Sequence, residues 1–364
     1  MAKELSEAGK VAPQARSTEM TRTTSIAKTT SRRAVLAAGL TALALTAVGC
    51  SADPTGGEAA VEHPAYEAAR AEGGLTWYTS IDPDTAQSVA RSFEETFPGI
   101  RVEVLRLTTG QVVARYAQER AAGTSPAEVV TVGDPDFFEE GKSAGWFESD
   151  PTLENDDDWP AEYASDGVHL ISMIPIGVTY NTDAVSTPPT QWSDVLDPQY
   201  ASGRIQYGDP RNVPAYMQLF SVLREEDSSF LTEVAGKSPV LASSVVNATQ
   251  TVAAGGADLL ITGTKPTTEI VKAEGAPIEF APMSPTVGVE FYSAVASGPS
   301  NPNAAILFED YMLSERGQEV LNVNTVSPLG ELPGTVPMPD DYRRIATADA
   351  KAQEPQILAD LGVQ

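Results

Sequence analysis

GLTWYT (residues 74–79) and TAQSVARSFEET (residues 85–96) are the two neighbouring segments that decide the fold. The first is an apolar run of strand length, and the second places Ala86, Val89, Ala90 and Phe93 on one helical face. The same pairing follows twice more: strands are predicted at 100–105 and 127–132, and helices at about 110–121 and 135–144. Strands that alternate with helices at this spacing predict βαβ units and a mainly parallel sheet.

The chain after residue 151 predicts a second α/β unit. Val168 to Asn181 is an extended apolar run that crosses toward this unit, and 287–296 crosses back. Between the crossovers we predict strands at 204–207, about 239–242 and 258–262, with helices after Asp209-Pro210 and at about 247–254. Two further helices are predicted at 305–313 and from 315 to 320. The sequence therefore predicts an α/β fold of two lobes with a cleft and a hinge. Residues 65–178 plus about 288–364 form lobe 1, and residues 179–287 form lobe 2.

The N-terminal segment predicts export. Arg32 and Arg33 precede sixteen uncharged residues, 34–49, and the run ends at Cys50, the only cysteine. This order is typical of a secretory signal, and the paired arginines fit its twin-arginine (Tat) variant. Ala47-Val48-Gly49-Cys50 looks like a bacterial lipobox. A transmembrane helix, the alternative, needs about 20 apolar residues. We expect a cleaved signal peptide at 1–49, a flexible tether at 50–64, and a lipid on Cys50 that holds the protein on the outer face of the cytoplasmic membrane.

Composition excludes several classes of function. Removal of 1–49 takes away seven basic and three acidic residues, so the formal charge falls from −26 to −30. Such a chain lacks the positive surface that nucleic acid requires. The two histidines, His63 and His169, give little support to a zinc site or a Ser-His-Asp triad, and no nucleophile motif is present. We therefore expect no cofactor and no catalytic centre of these kinds.

Several segments, in order and spacing, resemble one family over residues 74–330. They are GGLTWYTSID (73–82), ARSFEETFPGIRVEVLRLTTG (90–110), QWSDVLDPQYASGRIQYGDP (191–210) and NPNAAILFEDYMLSERGQEVLN (301–322). They resemble bacterial extracellular solute-binding proteins of the ferric-ion type. The resemblance implies the periplasmic-binding-protein type II fold and a binding protein, expected to be a monomer, that delivers a ligand to the permease of an ABC-type importer. An exported enzyme on the same fold and a surface adhesin or sensor subunit are the alternatives.

Asp82 and Asp134 are the first candidate ligand residues. In open parallel sheets, ligands bind beyond the carboxyl ends of the strands, where both residues are predicted to lie. Each is followed by proline, which is also the pattern of an ordinary helix cap. The resemblance implies metal ligands at these two positions if the ligand is ferric iron. It also implies a tyrosine pair after the predicted strand at 258–262, where this chain has Thr262-Gly263-Thr264-Lys265-Pro266 and no tyrosine, and a lysine there would repel a bare cation.

The remaining candidates are polar groups at predicted strand ends and helix starts. Backbone N–H groups at a helix start suit carboxylate or phosphate oxygens, although helix capping explains the same residues. Tyr180 and Tyr292, on the crossovers, either stack on a ligand or pack the hinge. The full set of further candidates is Thr79, Ser80, Thr108, Thr109, Gly110, Tyr180, Arg211, Asn212, Ser243, Ser244, Thr264 and Lys265. Carboxylates on one lobe and Arg211 with Lys265 on the other predict a small zwitterionic or charged organic ligand, with ferric iron as the alternative.

Overall fold

The structure is a computed structural model that describes residues 63–344 and 346–363. The predicted signal peptide, Cys50 and the tether up to residue 62 lie outside the described residues. No helix in the described part of the chain is both long enough and apolar enough to cross a bilayer.

The strands form one continuous ladder with the neighbour order β2-β1-β3-β10-β5-β8-β6-β7, in which β4 and β9 pair with β5. Their bounds are β1 Gly74–Thr79, β2 Arg101–Arg106, β3 Val129–Val132, β4 Ala164–Ser165, β5 Val168–Asn181, β6 Ile205–Gly208, β7 Val240–Ala242, β8 Leu259–Thr264, β9 Ile278–Ala281 and β10 Gly288–Val295. The first half of β5 pairs with β10, and its second half pairs with β8 and β9. One long strand therefore belongs to both lobes, as the predicted crossover at 168–181 requires.

The helices cover the faces of the two half-sheets. Their bounds are α1 Tyr66–Glu72, α2 Pro83–Thr96, α3 Thr109–Ala121, α4 Pro135–Ala144, α5 Pro214–Glu226, α6 Phe230–Gly236, α7 Val245–Ala253, α8 Lys265–Ala273, α9 Pro302–Leu313, α10 Glu315–Leu321 and α11 Thr347–Asp360. The predicted α/β fold with two lobes is confirmed. The sequence analysis did not predict α1, α6, α8 or α11.

In the first lobe, β1 lies between β2 and β3 and is parallel to both. Because side chains alternate across a strand, Trp77 and Tyr78 point to opposite faces of the sheet. Trp77 is buried against α2 and α9, where its ring meets Phe308 at 5.1 Å. Tyr78 belongs to a second core with α3 and α4, which contribute Tyr116 and Phe137. Helices thus cover both faces, which leaves the strand ends as the edge where loops can meet a ligand.

The second lobe repeats this arrangement, with β6 parallel to β7 and β8. Its larger core contains Tyr207 and Phe220, which meet edge to face at 5.8 Å, together with Ile261. A smaller core on the other face contains Val252 and Val271 from α7 and α8. The carboxyl ends of β6, β7 and β8 therefore lie at one edge of this half-sheet.

The C-terminal helix lies elsewhere than the sequence predicts. Residues from about 288 to 364 were expected in lobe 1, but α11 packs on α5 of the second lobe. Ala350, Ile357 and Leu361 join the second-lobe core, and Arg224 Nε donates to Asp360 Oδ2 at 2.9 Å. The physical reason is burial: these apolar side chains cover a face of α5 that is more than a hundred residues away in sequence.

Candidate functional site

The strand ends of the two lobes meet at a narrow crevice of about 70 Å³. It is lined from the first lobe by the β1–α2 loop, from the crossover strands by β5 and β10, and from the second lobe by the start of α8. The lining residues are Ile81, Asp82, Thr85, Ser172, Ile174, Thr264, Pro266, Thr267, Ile270, Phe291, Leu321, Val323 and Thr325. Two predicted candidates from opposite lobes, Asp82 and Thr264, therefore face the same space.

Asp82 begins α2 as its N-cap residue. Its Oδ1 atom accepts hydrogen bonds from the backbone N–H groups of Asp84 at 3.0 Å and Thr85 at 3.4 Å. Proline at the next position favours this start, because its missing N–H would be unpaired there in any case. The capping role is thus present in the structure, while Oδ2 makes neither of these two bonds. A ligand cation beside Oδ2 is compatible with the cap.

The hydroxyl groups after β1 and β2 lie together. Thr109 Oγ1 donates to Ser80 Oγ at 3.0 Å, which joins the β1 end to the start of α3. Thr79 is fully buried, and its hydroxyl accepts from the Ile81 N–H. Thr108 donates to Gln111 and closes the first turn of α3, beside Gly110, whose Cα faces open space. Thr79 and Thr108 are therefore engaged in holding the loops, and Ser80 and Thr109 form a hydroxyl pair at the strand edge.

Asp134 begins α4 in the same way as Asp82 begins α2. Its Oδ1 accepts from the N–H groups of Asp136 at 3.1 Å and Phe137 at 3.3 Å. Burial raises the pKa of the Asp134 carboxyl, an effect that the hydrogen bond from Phe137 and the charge of Lys351 oppose. Lys351 also forms an ion pair with Asp136 at 2.7 Å. This carboxylate pair thus lies where the first lobe meets α11.

On the second lobe, the residues of the β6–α5 loop form hydrogen bonds with one another. Asp209 accepts from Arg211, with Oδ2 at 2.7 Å from Nη2, and this contact lowers the pKa of the Asp209 carboxyl. The backbone of Asn212 donates to the Asp209 carbonyl. Ser243 and Ser244 follow β7 at the same edge, where Ser244 Oγ caps α7 through the Asn247 N–H at 3.4 Å. The Arg211 guanidinium is therefore already paired with the Asp209 carboxylate, and a ligand anion would bind it alongside that carboxylate.

Thr264 and Lys265 form the junction between β8 and α8. Thr264 is buried, donates to Thr267 Oγ1 at 3.0 Å and accepts from the Thr268 hydroxyl through its carbonyl. Lys265 is half-buried, and among residues 63–344 and 346–363 its side chain makes no hydrogen bond or ion pair. An unpaired ammonium group at the first residue of a helix beside the crevice is suited to a ligand anion.

Tyr180 is not brought to this edge. It pairs with Leu259, the first residue of β8, whereas Ile176 pairs with Thr264, the last residue of that strand. Because each residue of a strand advances the chain by about 3.3 Å, Tyr180 lies at the far end of the half-sheet. The long crossover therefore carries Tyr180 away from the edge where the crevice lies, and its contact with a ligand stays a prediction. Tyr292 Oη donates to Glu290 and accepts from Arg344, so this ring packs the hinge.

The sequence analysis did not identify the apolar residues that line the crevice. Ile81, Ile270 and Val323 line it from three separate segments, and no local pattern in the sequence links them. Lys351 was missed for the same reason, because nothing near residue 351 indicates that it reaches α4. Ile270 is 44% exposed in the structure, and the sequence around it gave no signal of a site residue.

Metal ligands do not cluster here. Within the described ranges, no group of three or more His, Cys, Asp and Glu side chains is arranged to hold a metal ion. Asp82 and Asp134 each use Oδ1 to cap a helix. The tyrosine pair that the resemblance implies for a ferric site is absent from residues 262–266, where the chain reads TGTKP.

The chain is similar to known solute-binding proteins in sequence pattern and in fold. The family model for bacterial extracellular solute-binding proteins matches residues 75–324. No curated protein matches the chain in sequence. Among solved structures, the substrate-binding protein of an ABC transporter from Agrobacterium tumefaciens is similar at 16% identity, with a TM-score of 0.71 over 79% of this chain and 94% of that one.

Two further structures share the fold and have different ligands. Iron-bound HitA from Pseudomonas aeruginosa is 20% identical, with a TM-score of 0.63 over 80% of this chain and 99% of that one. AfuA from Actinobacillus pleuropneumoniae, with fructose-6-phosphate bound, is 19% identical, with a TM-score of 0.63 over the same shares of the two chains. These similarities agree with the type II architecture expected from the sequence.

Proposed function

The chain belongs to the bacterial extracellular solute-binding proteins, which bind solutes rather than transform them, and from that premise we propose that it captures a small zwitterionic solute. The observation that carries the proposal is the charge across the crevice. Asp82 lines it on the first lobe, and the unpaired Lys265 adjoins two of its lining residues, Thr264 and Pro266, on the second. A molecule with an ammonium at one end and an acid group at the other would satisfy both.

Capture requires the lobes to move apart and close. The crevice of about 70 Å³ is much smaller than typical ligand sites of several hundred Å³, so a solute enters when the lobes separate. A ligand that bridges Asp82 and Lys265 binds the closed state better than the open state and shifts the population toward closure. The hinge consists of β5 and the segment that leads into β10. The closed form would then deliver the solute to an ABC-type permease.

The location is part of the proposal. A lipid on Cys50 would hold the protein at the outer face of the cytoplasmic membrane, next to that permease. Export and anchoring are tested by detergent-phase partitioning of the full chain expressed in a Tat-competent bacterium. The wild type is expected in the detergent phase, and Cys50→Ser is expected in the aqueous phase. Equal partitioning of the two would contradict lipidation.

The ligand class is tested by calorimetric titration. We expect heat with small amino acids or aminophosphonates, and affinity at least about tenfold lower in Lys265→Gln, since a charge-assisted contact contributes roughly 1.5–3 kcal/mol. Lys272→Gln is the matched control, because Lys272 lies on the same helix and pairs with Glu269 and Glu279. Tight ferric uptake without heat from any zwitterion would replace this proposal with the ferric alternative.

A further inference from the structure

The crevice between the lobes has an apolar wall that the charged groups do not explain. Ile81 contributes from the first lobe, Ile270 from α8 of the second, and Val323 from the segment after α10. Ile174, Phe291 and Leu321 complete the wall. Apolar surface contributed by both lobes to one space is buried further when the lobes close.

Two of these side chains are unusually exposed. Ile270 is 44% exposed and Val323 is 52% exposed, and they belong to different lobes. Contiguous exposed apolar surface in a groove is one mark of a ligand-binding site. Val240 and Val246, which are also exposed, do not line this crevice.

The apolar wall lies next to the charges that the proposed function uses. Asp82 lines the same crevice, and both of its helix-capping bonds go to Oδ1. An ammonium group at Oδ2 would leave its substituent beside Ile81 and Ile270. The acid group of the same molecule would then lie toward Lys265, at the start of the helix that carries Ile270.

We propose that the solute carries a short aliphatic group beside its ammonium, as the aliphatic amino acids and their phosphonate analogues do. This inference rests on the proposed function, whose zwitterion it specifies. Transfer of one methylene from water to an apolar site tightens binding about fourfold, which corresponds to about 0.8 kcal/mol.

The experiment compares glycine with L-valine by calorimetric titration of the full-length protein. We expect L-valine to bind at least about tenfold more tightly than glycine. Equal affinities would overturn this inference and leave the zwitterion proposal intact. Absence of binding by either, and by every other zwitterion tested, would overturn both proposals together.

Variants of the wall separate an apolar contact from a general effect on closure. Ile270→Thr and Val323→Thr are each expected to weaken L-valine binding several-fold more than they weaken glycine binding. Val246→Thr is the matched control, since Val246 is 46% exposed on α7 and does not line the crevice. If Ile270→Thr and Val323→Thr bind L-valine as tightly as the wild type does, or weaken glycine equally, the assignment of this wall to the ligand is wrong.

Discussion

Lys351 Nζ lies 2.7 Å from Asp136 Oδ2, and this ion pair joins α11 to α4. Because α11 packs on α5 and α4 packs in the first-lobe core, the contact connects the two lobes. The C-terminal segment is held at the hinge as well, where Arg344 Nε lies 2.9 Å from Glu290 Oε1. Lobe separation must therefore break the Lys351–Asp136 contact.

Lys351→Gln is expected to favour the open state. Both side chains are about half exposed, so the ion pair is worth at most about 1 kcal/mol, or a shift of about fivefold in the open-to-closed ratio. Small-angle X-ray scattering of the ligand-free protein would show a larger radius of gyration in Lys351→Gln. Lys272→Gln removes an ion pair within the second lobe and should scatter like the wild type. Identical curves for all three proteins would show that the contact does not hold the lobes.

Substitutions at Asp134 can distinguish its helix-capping role from a role in ligand binding. Asn caps a helix about as well as Asp, whereas Ala costs about 1 kcal/mol of stability. We expect Asp134→Asn to keep the melting temperature and to lower ligand affinity, while Asp134→Ala lowers both. Calorimetric titration and thermal melting of the two variants measure this. Unchanged affinity in Asp134→Asn would restrict Asp134 to capping.

His169 predicts a pH dependence of stability. Its ring is buried, with Nε2 at 2.9 Å from Asp156 Oδ1 and Nδ1 at 3.4 Å from Glu309 Oε1, while the Trp159 ring packs edge-on against it. Burial lowers its pKa, but the carboxylates of Glu309 and Asp156 outweigh burial and raise it. The charged imidazole is thus favoured by folding. Its contribution to stability is complete below the unfolded pKa of about 6.5 and is lost as pH rises through the higher folded pKa.

Thermal melting between pH 5.5 and 9 measures this effect. The melting temperature of the wild type is expected to fall with rising pH more steeply than that of His169→Gln, which has no group to titrate. Glu309→Ala is expected to lose about 3–5 kcal/mol of stability, because it leaves a buried partner uncompensated. Parallel pH profiles of the wild type and His169→Gln would contradict the assignment.

Gly263 is expected to tolerate no side chain. A Cβ atom there would lie 2.2 Å from Thr179 Oγ1 and 2.6 Å from the Thr179 backbone nitrogen, so β8 and β5 would have to separate. Gly263→Ala should cost about 1–3 kcal/mol of unfolding free energy and disturb Thr264 and Lys265, which follow directly. Gly236→Ala is the control, since no atom within 4 Å opposes a Cβ at that position. Chemical denaturation of both variants tests the difference, and equal stabilities would refute the clash.

Local patterns predicted most of the elements that build the sheet. The predicted strand at 74–79, the crossover at 168–181 and the helix at 135–144 have the same bounds in the structure. These segments succeed because strand and helix periodicity, proline at helix starts and glycine at helix ends act within a few residues. The helix α11 was missed because only three or four of its residues are buried, and their partner α5 is distant in sequence.

The candidate site, like the fold, was predictable from the sequence only in part. The sequence by itself determined that acidic and hydroxyl side chains follow the strands of one lobe and basic side chains those of the other, because parallel strands carry their carboxyl ends to a common edge. Only the tertiary structure decided which of them face one crevice, placed Tyr180 away from it, and added Ile270 and Val323 to its lining. It also brought Lys351 of α11 to Asp136 of α4. The reason is that contacts between the lobes depend on how two separately packed cores are positioned across the hinge. No short stretch of sequence encodes that relative position.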